Sequence, residues 1–332
     1  MKALVTGATG FIGSNLVREL LRQGYQVRAL VRKGSNPKNI EGLDIEVSLG
    51  DLLDRASLER ALDGCEMLFH VAAAYTFWSP DPRSIYQVNV QGTANILAAA
   101  RDRGIKKVIY TSTESTIGIA DGSLGTEAGV ADPEKVPGHY KKSKCLAERL
   151  ALKMCQEGLP LVVVNPTTPV GPGDIKPTPT GQMIVDFLNR RIPACVNTGL
   201  NVVDVEDVAK GHILALEKGR IGQRYILGNR NLTFRQILDI LEEITGLKAP
   251  RLNIPIWLAL GAAYLDEFVS GKVLGKHPRI PVSAVKAASK FRHFDCSKAV
   301  QELGLPQTPV EQSFAKAVSW FQQNGYVKRR TN

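Results

Sequence analysis

The feature that most restricts what this chain can fold into is the run Thr6-Gly7-Ala8-Thr9-Gly10-Phe11-Ile12-Gly13. It follows a short apolar run, Ala3–Thr6, and opens an amphipathic stretch, Ile12–Arg22. Glycines in that setting permit a tight turn, a close approach of backbone to a pyrophosphate, and close packing of helix on strand. The helix N-terminus then offers unpaired N–H groups and the positive end of its dipole to phosphate. Glycine-rich turns are common by themselves; the strand before and the helix after give this one its weight. No Gly-Lys-Ser or Gly-Lys-Thr follows, so it is not a Walker loop.

The rest of the first half continues the pattern. Strand candidates at Ala3–Thr6, Gln26–Val31, Asp44–Ser48, Met67–Val71, Val108–Thr111 and Leu161–Asn165 alternate with helical stretches at Ile12–Arg22, Ser57–Leu62, Ser84–Arg103 and Tyr140–Gln156. This alternation predicts an α/β fold, a doubly wound parallel sheet of the Rossmann kind. Between Asn165 and Gly181 the prolines 166, 169, 172, 177 and 179 read as a long loop. Helices are expected beyond it near Met183–Arg190, Val205–Lys218, Thr233–Thr245, Ile256–Val269, Val282–Lys290 and Val310–Asn324. Residues 1–165 are thus expected to form a nucleotide-binding domain. Residues 166–327 would form a smaller, mostly helical substrate-binding portion over the carboxyl edge of the sheet, some of its segments returning to that sheet.

Composition excludes several classes. Hydrophobic residues make up 44% and charged residues 22%, which is ordinary for a globular protein. The net charge is +10, but no Lys/Arg run is interleaved with aromatics and no nucleic-acid-binding signature is present, so no nucleic acid is expected. The excess reads as a solvated basic surface or as attraction for an anionic ligand. The five cysteines contain no Cys-x-x-Cys pair, which argues against a disulfide framework and against a metal site and fits a reducing cytoplasm. No signal peptide is read, and no apolar run approaches the ~20 residues of a membrane span.

Sites that prefer NAD place an acid at the end of the second strand, ~20 residues after the glycines. Here that strand ends Leu30-Val31-Arg32-Lys33. Arg32 can clamp a 2′-phosphate with its planar fork, so NADP is expected ahead of NAD, the alternative being that Arg32 is an ordinary surface residue. Gly50-Asp51-Leu52 follows the third strand, where Asp51 could accept from an adenine amino group while Leu52 flanks the ring.

Of the eight tyrosines, only Tyr140 has a lysine, Lys144, four residues on and hence on the same helical face. A nearby ammonium favours a phenolate, which would let Tyr140 exchange a proton with a hydroxyl or carbonyl near neutral pH. Such pairs are usually solvated helix faces, so the pair needs company. The fifth strand supplies it, ending Tyr110-Thr111-Ser112-Thr113 with hydroxyls at the sheet's carboxyl end. Asn89 stands mid-helix, where an amide weakens a helix unless it bonds something. Together these elements point to hydride transfer with a tyrosine proton relay.

The glycine run, Thr113, Tyr140/Lys144 and Asn165-Pro166…Gly171-Pro172 resemble the extended short-chain dehydrogenase/reductase family, of the NAD-dependent epimerase/dehydratase type, over nearly the whole chain. Two branches stand out: dihydroflavonol 4-reductases, and bacterial hopanoid-associated sugar epimerases, which match through Asn165–Gly181 and Gly199–Gly228. The resemblance implies Tyr140 as acid/base, Lys144 as anchor of the nicotinamide ribose and tuner of Tyr140, and Thr113 in place of the usual serine. It implies that His70-Val71-Ala72-Ala73 lines the cofactor and that Pro166 to Val170, with Thr168, contacts the nicotinamide face. Asn89 joins the expected cofactor set. One departure matters. Nucleotide-sugar epimerases carry an arginine that grips the pyrophosphate where this chain has Leu200, beside Asn201.

The expected function is therefore an NADP-dependent reductase of a ketone, or oxidoreductase of a secondary alcohol, of dihydroflavonol 4-reductase kind. The alternative is an epimerase or dehydratase of a sugar or sugar-like substrate that retains its NAD(P), linked to hopanoid synthesis. A non-catalytic sensor is disfavoured by the intact Tyr140/Lys144 pair. The partner is expected to be a small, fairly apolar molecule, with homodimerisation left open. Finally, Ile254–Leu265 has no charge across twelve residues. A stretch apolar all round reads first as a buried core helix. The sharper reading is a lid over the pocket or a patch touching membrane from the cytoplasmic side, helped by the basic tail Lys328-Arg329-Arg330.

Overall fold

The computed structural model describes residues 1–76, 78–273, 282–287 and 290–327. β1 (Lys2–Thr6) leads through the glycine turn into α1 (Phe11–Arg22), β2 (Gln26–Val31) and β3 (Glu46–Leu49). α2 (Arg55–Leu62), capped by the Asp54 side chain on Ser57 N, precedes β4 (Met67–His70). The helix expected at Ser84–Arg103 is broken into α3 (Arg83–Tyr86), a π turn (Gln87–Gln91) and α4 (Gly92–Asp102). β5 (Lys107–Thr111), a 3-10 turn (Glu114–Thr116), α5 (His139–Gln156) and β6 (Leu161–Pro166) complete the first half.

β1, β2, β4, β5 and β6 are buried almost throughout, as the near-continuous apolar runs of a sheet covered on both faces require. One core lies under α1 and the other under α2, α4 and α5.

The second half carries more strand than the mostly helical portion expected of it. Part of the proline-rich segment is a strand, β7 (Thr168–Val170). α6 (Pro179–Leu188) follows, with proline in its first turn and Thr178 as cap. Then come β8 (Cys195–Val196), β9 (Gly199–Asp204), α7 (Val205–Glu217), β10 (Arg224–Leu227), β11 (Arg230–Thr233) and α8 (Phe234–Thr245). β12 (Asn253–Ile254), α9 (Ile256–Asp266), a π turn (Glu267–Val273), α10 (Val282–Ala287), a π turn (Ala299–Leu303) and α11 (Val310–Gln323) end the chain. β10 pairs in parallel with β6 and extends the main sheet to seven strands, all parallel, in the order β10-β6-β5-β4-β1-β2-β3. β11-β9-β7 and β12-β8 form two small sheets. Together with α6, α8 and α11, β7, β8, β9 and β11 surround a third core.

The expectation of a buried helix at Ile254–Leu265 fails. Among the side chains of α9 only Ala263 is buried, and Trp257 is 69% exposed. The helix packs against α10 rather than into a core, so its apolar faces have no apolar shell to enter. The basic tail, Lys328-Arg329-Arg330, lies outside the described residues. Among the described residues no helix is long and apolar enough to cross a membrane.

One ion pair crosses the fold at the carboxyl edge of the sheet. Glu148 of α5 and Arg224 of β10 meet at 3.0 Å with side chains 6% and 8% exposed. Asn165 of β6 donates to the same carboxylate at 2.8 Å and to Thr116 Oγ1 at 2.9 Å. Arg224 also donates to the carbonyls of Glu127 and Gly129. Removing one partner of such a pair leaves a buried charge and costs about 3–5 kcal/mol. Glu148→Ala should lower stability by that order in urea unfolding, and a loss under ~1 kcal/mol would show that the pair does not hold this edge together.

Candidate active site

The glycine turn is fixed by close approach. Gly7 has φ +72°, and a Cβ there would lie 2.8 Å from the Ala72 backbone. A Cβ on Gly13 would lie 2.1 Å from the Gly7 carbonyl oxygen. Neither position tolerates a side chain, so α1 is drawn tightly onto β1 and β4. Gly10 caps α1 with no side-chain bond, and no acid occupies the first turn. The amides of Phe11, Ile12 and Gly13 are thus left for an anion, as a diphosphate requires. Asn39 Nδ2 donates to the carbonyls of Thr9 and Gly173, and Asn15 Nδ2 to that of Pro172. These two asparagines strap the 171–175 loop to the glycine turn, and sequence reasoning missed both.

The other expected cofactor residues surround this turn. Arg32 and Lys33 follow β2 as exposed residues, and no side-chain hydrogen bond or ion pair is seen for either among the described residues. Asp51 Oδ1 accepts from Leu53 N at 2.9 Å, while Leu52 is buried where a Cβ on Gly92 would touch it. Val71 and Ala72 are half-buried against the turn and Ala73 is exposed. His70 is buried between the hydroxyls of Thr6 and Thr93. Burial, and then the charge of Lys144, push its pKa down to about 3. Pro166 ends β6 and Thr168 begins β7.

Asn89 explains the π turn. Its Oδ1 accepts from Ala74 N at 2.7 Å, and its Nδ2 donates to Ala74 O and to Ser143 Oγ. Ser143 donates in turn to the Tyr140 carbonyl at 2.7 Å. The amide sits inside a helix and still satisfies its groups, joining the 71–74 loop to the first turn of α5.

Tyr140 and Lys144 share a face of α5 and both are buried. The Tyr140 hydroxyl takes the Thr113 hydroxyl as hydrogen-bond partner. Ser112 instead turns inward to Thr116, as alternation along a strand demands. The Tyr75 ring packs edge-on to Tyr140, with centroids 4.7 Å apart.

The expected effect of Lys144 on Tyr140 needs correcting. Lys144 Nζ donates to Tyr110 OH at 3.1 Å and to the Thr111 carbonyl at 2.9 Å. Burial first, and Glu114 second, hold the Tyr140 phenol far above its ordinary range, with the Thr113 hydroxyl opposing them. The lysine itself is lowered to about 8 by burial, with Glu148 and Cys145 acting against the shift. Spacing put the pair on one face, but the ammonium is spent on a tyrosine and a carbonyl of β5. Sequence reasoning had not singled out Tyr110, Tyr75 or Glu114. Glu114 follows Thr113 directly, and a carboxylate next to a strand-end hydroxyl is a signal that could have been used. Among the described residues no group of three or more His, Cys, Asp or Glu could hold a metal ion.

Comparison with known proteins agrees with this geometry. The model of the family described as NAD dependent epimerase/dehydratase matches residues 3–228. A putative dihydroflavonol 4-reductase of Synechocystis sp. is 51% identical, over 98% of this chain and 95% of the relative. Sterol demethylase protein B of Methylococcus capsulatus is 36% identical, over 98% and 100%. The crystal structure of gox2253 superposes with a TM-score of 0.87 at 42% identity, covering 98% of this chain and 99% of that one. The glycine turn, the seven-stranded sheet and these likenesses agree: the chain belongs to the NAD-dependent epimerase/dehydratase family and is an NAD(P)-dependent enzyme of the extended short-chain dehydrogenase/reductase type.

Proposed function

We propose that this protein is an NADP-dependent reductase that converts a ketone of a fairly apolar molecule to a secondary alcohol. The observation that carries the reading is the pairing of the buried Tyr140 hydroxyl with that of the half-buried Thr113 at the carboxyl edge of the sheet. Gly7, Thr9, Gly10, Phe11, Ile12 and Gly13 would hold the diphosphate and Arg32 the 2′-phosphate. Asp51 and Leu52 would meet the adenine, and Val71, Ala72, Ala73 and Asn89 the inner wall. Lys144 would hold the nicotinamide ribose, with Pro166 and Thr168 on the nicotinamide face. The cofactor, when bound, supplies the hydride. Tyr140 is kept protonated by burial and by Glu114, the state from which it can donate to a carbonyl oxygen as negative charge develops there. Thr113 shares that oxygen. The relative named dihydroflavonol 4-reductase supports reduction, and the one named sterol demethylase protein B supports an apolar substrate.

The competing reading is a sugar-like epimerase or dehydratase that recycles a retained cofactor, in hopanoid synthesis. Leu200 disfavours a nucleotide sugar, because it lies in β9 opposite Leu232 and offers no charge to a pyrophosphate. A second observation extends the first reading. Trp257, Leu258, Tyr264 and Leu265 of α9, and Phe268 and Val269 after it, are all exposed, forming an apolar surface of the kind that marks interaction sites. Residues 246–290 carry seven lysines and arginines against Asp266 and Glu267. Peripheral contact of this face with an anionic bilayer would place the cleft where apolar substrates reside.

Three outcomes are expected. Tyr140→Phe should lower reduction across a ketone panel by ~10²–10⁴-fold with NADP affinity unchanged, and Thr113→Ala should impair turnover more than Ser112→Ala. More than a tenth of the wild-type rate in the Phe variant would remove Tyr140 from the acid/base role. NADP should bind at least about tenfold more tightly than NAD, since charge-assisted bonds to phosphate contribute ~1.5–3 kcal/mol. Arg32→Ala should erase the difference; equal affinities in the wild type, or cofactor that survives purification unexchanged, would favour the epimerase. The protein should sediment with anionic liposomes at low salt and shift its Trp257 fluorescence. Protein left wholly in the supernatant at both low and high salt would reject membrane contact.

A further inference from the structure

Thr113 is held from two sides. The Glu148–Arg224 pair grips the turn after it from within, through Thr116 and through Asn165 on the Thr113 carbonyl. The outer grip is Glu114. Its carboxylate accepts from Arg292 Nε at 2.8 Å and from Nη2 of the same guanidinium, and that Nη2 also donates to the Glu114 carbonyl at 2.8 Å. Ser115 Oγ donates to the other carboxylate oxygen at 2.8 Å. Lys141, beside Tyr140 on α5, is 7% exposed and faces the same carboxylate.

Arg292 is itself placed by backbone. Its N–H donates to the Gly199 carbonyl at 2.8 Å, and it bridges in parallel to Leu200. A Cβ on Gly199 would lie 2.4 Å from His293 Nε2 and 2.6 Å from the Phe291 ring, so only glycine lets the 291–293 segment come this close to β9. The guanidinium also lies over the Phe294 ring, 5.2 Å from its centroid. The C-terminal portion therefore delivers a cation, at a fixed point, to the residue next to Thr113.

We propose that Arg292 is a positioning residue for the Tyr140–Thr113 pair: it holds Glu114, and with it the Thr113 turn, and offsets part of the Glu114 charge that acts on the Tyr140 hydroxyl. The proposal rests on Tyr140 being the acid/base. The charged and titratable groups in and around the Tyr140 site come from several elements. Glu114 and Thr113 lie on the turn after β5, Lys141 and Lys144 on α5 itself, and Arg292 on the segment before α11. Tyr75 comes from the loop after β4, and Asp174 faces Tyr75 from the loop after β7. A carboxylate disfavours a neighbouring phenolate, whereas an arginine that gives one carboxylate oxygen two N–H bonds offsets its charge and fixes its direction. Without Arg292, Glu114 would turn its charge on Tyr140 with only Lys141 opposing it.

The test is the tyrosinate absorbance of the NADP⁺-loaded protein as pH rises, from which the signal of the Tyr140→Phe counterpart is subtracted. Wild type, Arg292→Met, Arg292→Lys, Glu114→Gln and the double variant Arg292→Met/Glu114→Gln are compared. Arg292→Met should move the Tyr140 titration upward by about one pH unit. Arg292→Lys should move it by less than half as much, and Glu114→Gln should move it down. The double variant should return to the wild-type value or below, a reversal that a purely structural role would not give. NADP⁺ affinity should be the same throughout. An unmoved titration in Arg292→Met, or an upward shift that persists in the double variant, overturns the proposal. A Tyr140→Phe variant that keeps more than a tenth of the wild-type turnover would instead overturn the acid/base reading beneath it.

Discussion

The buried pair Glu148–Arg224 is the interaction on which the proposed reaction centre depends. Two charges withdrawn from water are costly, and their mutual attraction repays this only when the remaining lone pairs and protons find partners. Here most of them find partners in Asn165, Thr116 and the carbonyls of Glu127 and Gly129, contributed by β6, the 3-10 turn and the loop that leads to α5, while Arg224 Nε is left buried without one. The pair can be satisfied only when α5, β6 and β10 are all in place. Tyr140, Lys144 and Glu148 stand at four-residue intervals along one face of α5. The anchored end of that stripe fixes the other end, where the Tyr140 hydroxyl meets Thr113.

Much of this was legible in the chain, for identifiable reasons. The glycine turn, the Tyr140/Lys144 spacing and the Thr111-Ser112-Thr113 ending are local patterns, and the alternation of a strand decides which hydroxyl faces Tyr140. What escaped depended on distance. Arg292 meets Glu114 across 178 residues, and nothing near either residue announces the other. Lys144 was expected to lower Tyr140 because spacing reports which face a residue occupies and not which atom its head group finds. β7 to β12 run from two to six residues, too short for alternation to show, and one of them contains Pro169. The exposed α9 was misread because a helix apolar all round is normally interior.

Electrostatics in the site lean one way. Burial raises the Tyr140 phenol and lowers the Lys144 ammonium, so each group moves toward its neutral form, as desolvation requires. A neutral phenol is a proton donor. With His70 pushed down to about 3 and His212 to about 4 by burial, neither histidine competes as a charged group near neutral pH. On the proposed reading, Tyr140 is the proton donor that Thr113 places beside the reacting oxygen.

The described residues from β12 through α10 pack largely on one another and bury few of their side chains. Surface substitutions of that kind usually change stability by no more than about half a kcal/mol. This part of the chain can therefore accumulate changes with little penalty to folding, while the sheet and α5 cannot. It rejoins the fixed frame where Arg292 and Phe294 bridge to β9 and to the Gly125 loop. Such a division lets descendants of one ancestor exchange the molecules they act on while inheriting the reaction unchanged, which is a physical route by which one scaffold diversifies.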